Sequence, residues 1–192
     1  FGRTGEMWGS QTFDLVPDML TCAKALSASY IPIAALMISD RVFEAMVEQS
    51  RKITLFGHGF TYSGHPVAAA VAVETLKIYE ERNIVAMAQA SSPILQKGLR
   101  TFANHALVGE VRGCGMIAGV ELVADKASKK SFEAGKGAGA LVQEEAKRRG
   151  VLVRALGDTV AFCPPLVITD VELRAVVDRF GDSLDAATAK LL

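Results

Sequence analysis

The sequence is poor in cysteine, histidine and tryptophan, with three, three and one in 192 residues. Cys22, Cys114 and Cys163 lie far apart and form no CxxC. That argues against a disulfide framework or a cysteine zinc site, and it fits a reducing compartment such as the cytoplasm. His58, His65 and His105 include no i, i+4 pair, so a helical metal site has no support. An excess of either charge is missing too. Lys+Arg and Asp+Glu balance at 21 each, with no basic block. No electrostatic case for nucleic acid or an anionic membrane follows. Repeats of fixed period and low-complexity tracts are absent. What is present is apolar: half the residues are hydrophobic, enough for a sizeable core in one or two domains.

Charge is scarcest in "MLTCAKALSASYIPIAALMIS", residues 19–39, where Lys24 is the one formally charged side chain. A buried lone charge is costly, and lysine answers burial by lowering its pKa. A neutral amine is a nucleophile, the chemistry a Schiff-base lysine needs. The other reading is a lysine whose stem packs while its head reaches water. The run is long enough to raise a transmembrane question. Lys24, Pro32, Thr21, Ser27 and Ser29 make it a poor span, and a strand, a loop and a second, buried strand fit better. No signal-peptide pattern opens the chain. It starts at Phe1, and "FGRTG" reads like the inside of a motif, so we expect the C-terminal part of something longer.

A strand is predicted within 15–26, preceded by Pro17, and a buried strand over 31–39. Ser39 should cap a helix over 40–49 that carries Phe43, Met46 and Val47 on one face. "FGHGFTYSGHP" (56–66) is a glycine-punctuated loop. Pro66 then opens a long helix whose early alanines and valines predict burial all round. A further helix covers 84–103, bent or restarted near Pro93. Beyond Asn104, "ALVGEVRG" and "GMIAGVELV" read as strands around a glycine turn. Residues 133–149 read as a helix closed by Gly150. "VLVRAL" and "TVAFCPPL" read as strands joined by a Gly157–Asp158 turn. Thr169 and Glu172 form a capping box for the last helix, with Leu173, Val176, Val177, Phe180 and Leu184 on one stripe. This is a ββαββα unit, a small α+β domain.

Four stretches could carry chemistry. "GCGMIA" (113–118) fits a dinucleotide fingerprint, but a strand-like "GVELV" follows where a helix N-terminus is required. Ser63 with His65 or His58 could suggest a hydrolase, yet there is no G-x-S-x-G elbow. The 56–66 loop brings Thr61, Tyr62 and Ser63 hydroxyls and permissive glycines before a helix, so it is either a phosphate site or an ordinary capped loop. Arg154 sits on an apolar strand and wants a partner. A ligand carboxylate would serve, and so would Asp158.

These stretches, in this order and spacing, resemble the class III (omega) aminotransferases. The segments that carry the likeness are "FGRTGEMWGSQTFDLVPDMLTCAKALSASYIPIAALMIS", "FGHGFTYSGHPVAAAVAVETL", "VRGCGMIAGVELV" and "RALGDTVAFCPPLVIT". The resemblance implies an α/β fold. Residues 1–92 would be the C-terminal part of a fold type I pyridoxal phosphate large domain with the start of a connecting helix. Residues 93–192 would be the small C-terminal α+β domain. It implies pyridoxal 5′-phosphate held by Lys24 as a Schiff base, the internal aldimine. Thr61 would contact the cofactor phosphate of a neighbouring subunit, with Phe60 adding backbone contact. Arg154 would be the mobile arginine that grips the carboxylate of a keto acid, with pyruvate the expected acceptor. A homodimer or higher homo-oligomer with shared active sites follows, with small amines and keto acids as substrates and no metal.

The family's pyridinium-pairing aspartate, phosphate-binding turn and ring-stacking aromatic all match positions before Phe1. Glu6, Asp14 and Asp18 do not occupy the aspartate's place. Two alternatives accompany this reading: an aminomutase or decarboxylating relative, and a catalytically incomplete truncated subunit.

Overall fold

The structure, a computed structural model, describes residues 1–133 and 135–192. Ala134, inside the helix predicted over 133–149, lies outside the described residues. The chain divides into two compact units: Phe1 with Trp8–Asn83, and Gly2–Met7 with Ile84–Leu192.

The first unit holds α1 (Gly9–Thr12), β1 (Met19–Cys22), a 3-10 turn (Lys24–Leu26), β2 (Ala35–Ile38), α2 (Asp40–Ile53) and α3 (Pro66–Glu81). β1 and β2 pair antiparallel from Met19–Ile38 to Cys22–Ala35, so the apolar run is two strands joined by a loop, as its composition predicts. The expected burial of the second strand is not met. Leu36 of β2 is 57% exposed and Met19 opposite that strand 59%, because nothing among the described residues covers the pair. Ser39 stands at the N-cap of α2, but its hydroxyl donates to Asp18 Oδ1 at 2.8 Å instead of capping. Pro66 opens α3 as expected. Burial there is confined to Ala68, Ala72 and Thr75, one helical stripe, and α3 packs on the 3-10 turn. Val67 and Val73 are exposed, so the prediction of burial all round is corrected: alanine is content at a helix surface as well as in a core.

The second unit holds α4 (Ile84–Arg100), a 3-10 turn (Thr101–Asn104), β3 (Val108–Cys114), β4 (Ile117–Leu122), α5 (Ala138–Arg148), β5 (Arg154–Leu156), β6 (Thr159–Phe162) and α6 (Asp170–Leu191). α4 runs on through Pro93. The sequence division at 92/93 cuts this helix, whereas by contacts the whole of it belongs with the second unit. The strands form one antiparallel sheet in the order β3-β4-β6-β5, the predicted ββαββα arrangement. Alternate residues of β4, Ala118, Val120 and Leu122, turn inward with Val160 and Phe162 of β6. They meet Val142 of α5, Phe180 and Leu184 of α6, and Leu95 and Leu99 of α4 in one core. Thr169 and Glu172 make the predicted box. Thr169 N–H donates to Glu172 Oε2 at 2.9 Å, and Glu172 N–H to Thr169 Oγ1 at 3.3 Å.

Residues 2–7 complete this unit. The β4–β6 pairing ends at Ala118–Phe162, and two steps further out the same register would set Met116 against Pro164. Proline has no N–H to offer. Arg3 supplies donors in its place, to Met116 O at 2.9 Å and Pro164 O at 2.5 Å, while its own carbonyl accepts from Met116 N–H at 2.8 Å. Gly115 lies at φ +55°, and a Cβ there would sit 2.4 Å from the Thr4 backbone. The turn therefore demands glycine both for conformation and for space.

One buried carboxylate ties α5 to α6. Glu145 accepts from Lys190 Nζ at 2.6 Å, Arg149 at 2.7 Å and Arg148 at 2.9 Å. The Lys190 hydrogen bond, then that of Arg149, holds its pKa down to about 2 from 4.5. A carboxyl whose folded pKa is depressed stabilises fully above its unfolded value and loses that contribution as pH falls through the folded one. Melts of wild type and Glu145→Gln should therefore differ at pH 6 and converge as the pH falls from 4.5 toward 2. A gap that stays constant over that window would contradict this role.

Candidate active site

Lys24 follows β1 directly and opens the 3-10 turn. Ala23 before it is extended, and Lys24 itself stands at φ +53°. A non-glycine residue in the left-handed region costs about 1–2 kcal/mol. Such strain gathers where function fixes the backbone. Ser27 and Leu26 hold the turn from below: both are buried, and Ser27 Oγ donates to Ile31 O at 2.7 Å. The Lys24 side chain is exposed in this chain, so the argument from a buried ammonium does not operate here. Strands that nothing covers leave the lysine in water.

The 56–65 loop folds on itself. Ser63 N–H donates to Phe60 O at 3.0 Å, and Phe60 N–H to Ser63 Oγ at 3.3 Å. His65 N–H donates to Tyr62 O at 3.3 Å, and Gly64 makes the turn at φ +66°. Ser63 is thus engaged by a backbone amide, and among the described residues no histidine bonds it, which removes the hydrolase reading. Phe60 and Thr61 are exposed. A cavity of about 650 Å³ separates this loop from the 31–34 segment, lined by Ile31, Pro32, Phe60, Tyr62 and His65 among others. Lys24 and Thr61 do not line it, so the structure does not bring these two together there. His65 precedes α3 without a side-chain cap, leaving the first N–H groups of the helix open to an anion.

Arg154 begins β5 in the second unit and is exposed. Across the sheet it shares a row with Ala161, Gly119 and Arg112. Arg112 takes the acids of that face, Glu121 at 2.5 Å and Glu110 at 3.6 Å. Asp158, the alternative partner, instead accepts from Gly139 N–H at 3.1 Å. Among the described residues Arg154 therefore has no carboxylate partner. The dinucleotide reading of 113–118 also falls, since strand β4 follows the glycines. Asp18 is no spare carboxylate either. The Arg41 guanidinium, then Ser39, holds its pKa below the usual range. Among the described residues no group of three or more acids, cysteines or histidines could hold a metal. Among the described residues no helix is long and apolar enough to cross a membrane.

Sequence reasoning assigned no part to Arg3 or Gln143, which organise this unit through backbone atoms. Gln143 Oε1 accepts from Ala155 N–H at 2.6 Å. A glutamine on a helix carries no sign of such a bond in the sequence.

The α/β architecture is that of solved pyridoxal-phosphate-dependent transaminases. The family profile described as "Aminotransferase class-III" matches residues 1–184, and the chain belongs to that family. Its members use pyridoxal 5′-phosphate. Gamma-aminobutyrate transaminase 1, mitochondrial, of Oryza sativa subsp. indica is 45% identical over 191 residues, 100% of this chain and 37% of the relative. A solved "Transaminase with L-ala" superposes with TM-score 0.96 at 51% identity, over 100% of this chain and 45% of its own. The omega transaminase from Pseudomonas jessenii in complex with PMP gives 0.94 at 49%, over 100% and 42%. The chain thus spans about two fifths of the curated relatives it matches.

Proposed function

We propose that the full polypeptide moves an amino group from an amine or omega-amino acid to a keto acid, pyruvate in the first instance. The single observation that carries this is Lys24: an accessible amine fixed at φ +53° in a chain of the class III family. The relatives named for gamma-aminobutyrate favour an omega-amino acid donor. The neighbour solved with L-alanine, the aminated form of pyruvate, favours that acceptor.

Bound pyridoxal phosphate would supply an electron sink for the carbon that loses its proton. Lys24 would hold it through the ε-nitrogen and, once displaced by the incoming amine, take the proton from the substrate carbon and deliver it to the cofactor's former aldehyde carbon. The hydroxyl of Thr61 would donate to the phosphate of a neighbouring subunit's cofactor, with backbone contact at Phe60 beside it. Their exposure on the loop supports that reach. Arg154 would take the substrate carboxylate in a bidentate pair. A homodimer or higher assembly completes the site in this reading, and an active monomer by light scattering would contradict it. The unpaired Cys22, Cys114 and Cys163 suit a reducing compartment, and we place the protein in the cytoplasm on that ground.

The test is a two-step reaction with the full-length holoprotein. Amine alone should release one equivalent of carbonyl product and stop. Pyruvate added afterwards should release alanine. An internally shuffled amine with no carbonyl release would instead favour an aminomutase, carbon dioxide release a decarboxylating relative, and no reaction a non-catalytic subunit.

A further inference from the structure

We propose that Gln143 and Asp158 are positioning residues for Arg154, docking its hairpin on the first turns of α5 so that only the arginine side chain moves. This rests on Arg154 binding the substrate carboxylate.

β5 is an edge strand of three residues, paired with β6 alone. A strand so short and one-sided would fray, and alternate N–H groups on its outer side have no sheet partner. Helix α5 supplies one. Gln143 Oε1 accepts from the N–H of Ala155, the residue after Arg154, at 2.6 Å. At the turn, Asp158 Oδ1 accepts from Gly139 N–H at 3.1 Å, where the helix amides lack partners and favour a negative charge. Contact between them is close: a Cβ at Gly139 would lie 2.1 Å from Gly157 O. Two side-chain acceptors and one glycine thus fix both ends of the Arg154–Asp158 segment against a helix anchored in the core by Ala138 and Val142. Arg154 stays exposed, with Glu110, Glu121 and Asp158 engaged elsewhere. A fixed backbone with an uncommitted side chain can swing toward a carboxylate, or away from an apolar substrate, at little cost.

The experiment uses the full-length holoenzyme with two acceptors, pyruvate and an aldehyde that lacks a carboxylate. Gln143→Leu should raise KM for pyruvate about two- to tenfold, the loss of one hydrogen bond, with kcat and the aldehyde KM little changed. Gln143→Glu keeps the accepting oxygen and should restore the pyruvate KM. Hydrogen exchange at the Ala155 amide should accelerate in Gln143→Leu and recover in Gln143→Glu. Asp158→Ala and Asp158→Asn provide the same comparison at the other end, should Gln143→Leu fail to fold. An equal rise for both acceptors, or an unchanged pyruvate KM, would overturn the positioning role. An Arg154→Ala variant that treats the two acceptors alike would instead remove the carboxylate reading, and the inference with it.

Discussion

Replacing Lys24 with alanine should stop turnover while leaving the fold in place. Proton transfer by a positioned group contributes about 10²–10⁴ in rate, and losing the covalent attachment adds to that, so kcat should fall at least about a thousandfold. The melting temperature of the cofactor-free protein should barely move, because the side chain is exposed and anchors nothing in the core. Lys24→Arg keeps the charge and loses the nucleophile, and it should be as inactive as alanine. Lys24→Gly should be inactive and slightly more stable than alanine, since glycine accepts φ +53° without strain. Steady-state assays with an amine and pyruvate, alongside thermal melts, separate these cases. An arginine variant with normal turnover would mean that charge, not imine chemistry, is what this position supplies.

The second large effect is one of selectivity. Arg154→Ala should raise KM for keto acids and amino acids about 10- to 100-fold, on ~1.5–3 kcal/mol for hydrogen bonds to a charged group. Simple amines and aldehydes should change by no more than about twofold, as for an ordinary surface substitution. The geometry motivates the contrast. The acids on its face of the sheet pair with Arg112, and Asp158 serves α5, so among the described residues no ion pair is lost with the guanidinium. Equal losses for both substrate classes would remove the specificity role.

The sequence made the second unit easier to read than the first. Strong local signals mark it: the Thr169–Glu172 box, the Gly157–Asp158 turn, and alternation along β4 and β6 all appear where the pattern puts them. That unit closes a core of its own, so periodicity and burial agree. In the first unit both strands and both longer helices appear where predicted, while α1 and the 3-10 turn carried no prediction, α2 runs on to Ile53, and the expected burial is not met. Composition reports how apolar a strand is, and not whether this chain supplies its cover, which is why Leu36 and Lys24 both proved exposed. For the site, Lys24, Thr61 and Arg154 stand out in the sequence as a lone charge, a loop hydroxyl and an arginine on an apolar strand, but Phe60 and the roles proposed for all four rest on motif likeness. Strain at Lys24 is a dihedral angle, invisible in a list of residues. The competition for Asp158 between Arg154 and Gly139 was a matter of geometry, and the helix amide won it because α5 starts at Ala138, later than its pattern suggested.

The central claim is that position 24 provides the nitrogen bonded to the cofactor. The full-length holoprotein, treated with borohydride and digested, reports this directly by mass spectrometry. We expect a pyridoxyl phosphate mass on the peptide containing Lys24 and a loss of visible absorbance in step with it. Label on a different lysine, or an unlabelled digest from a protein that had been coloured, would contradict the account.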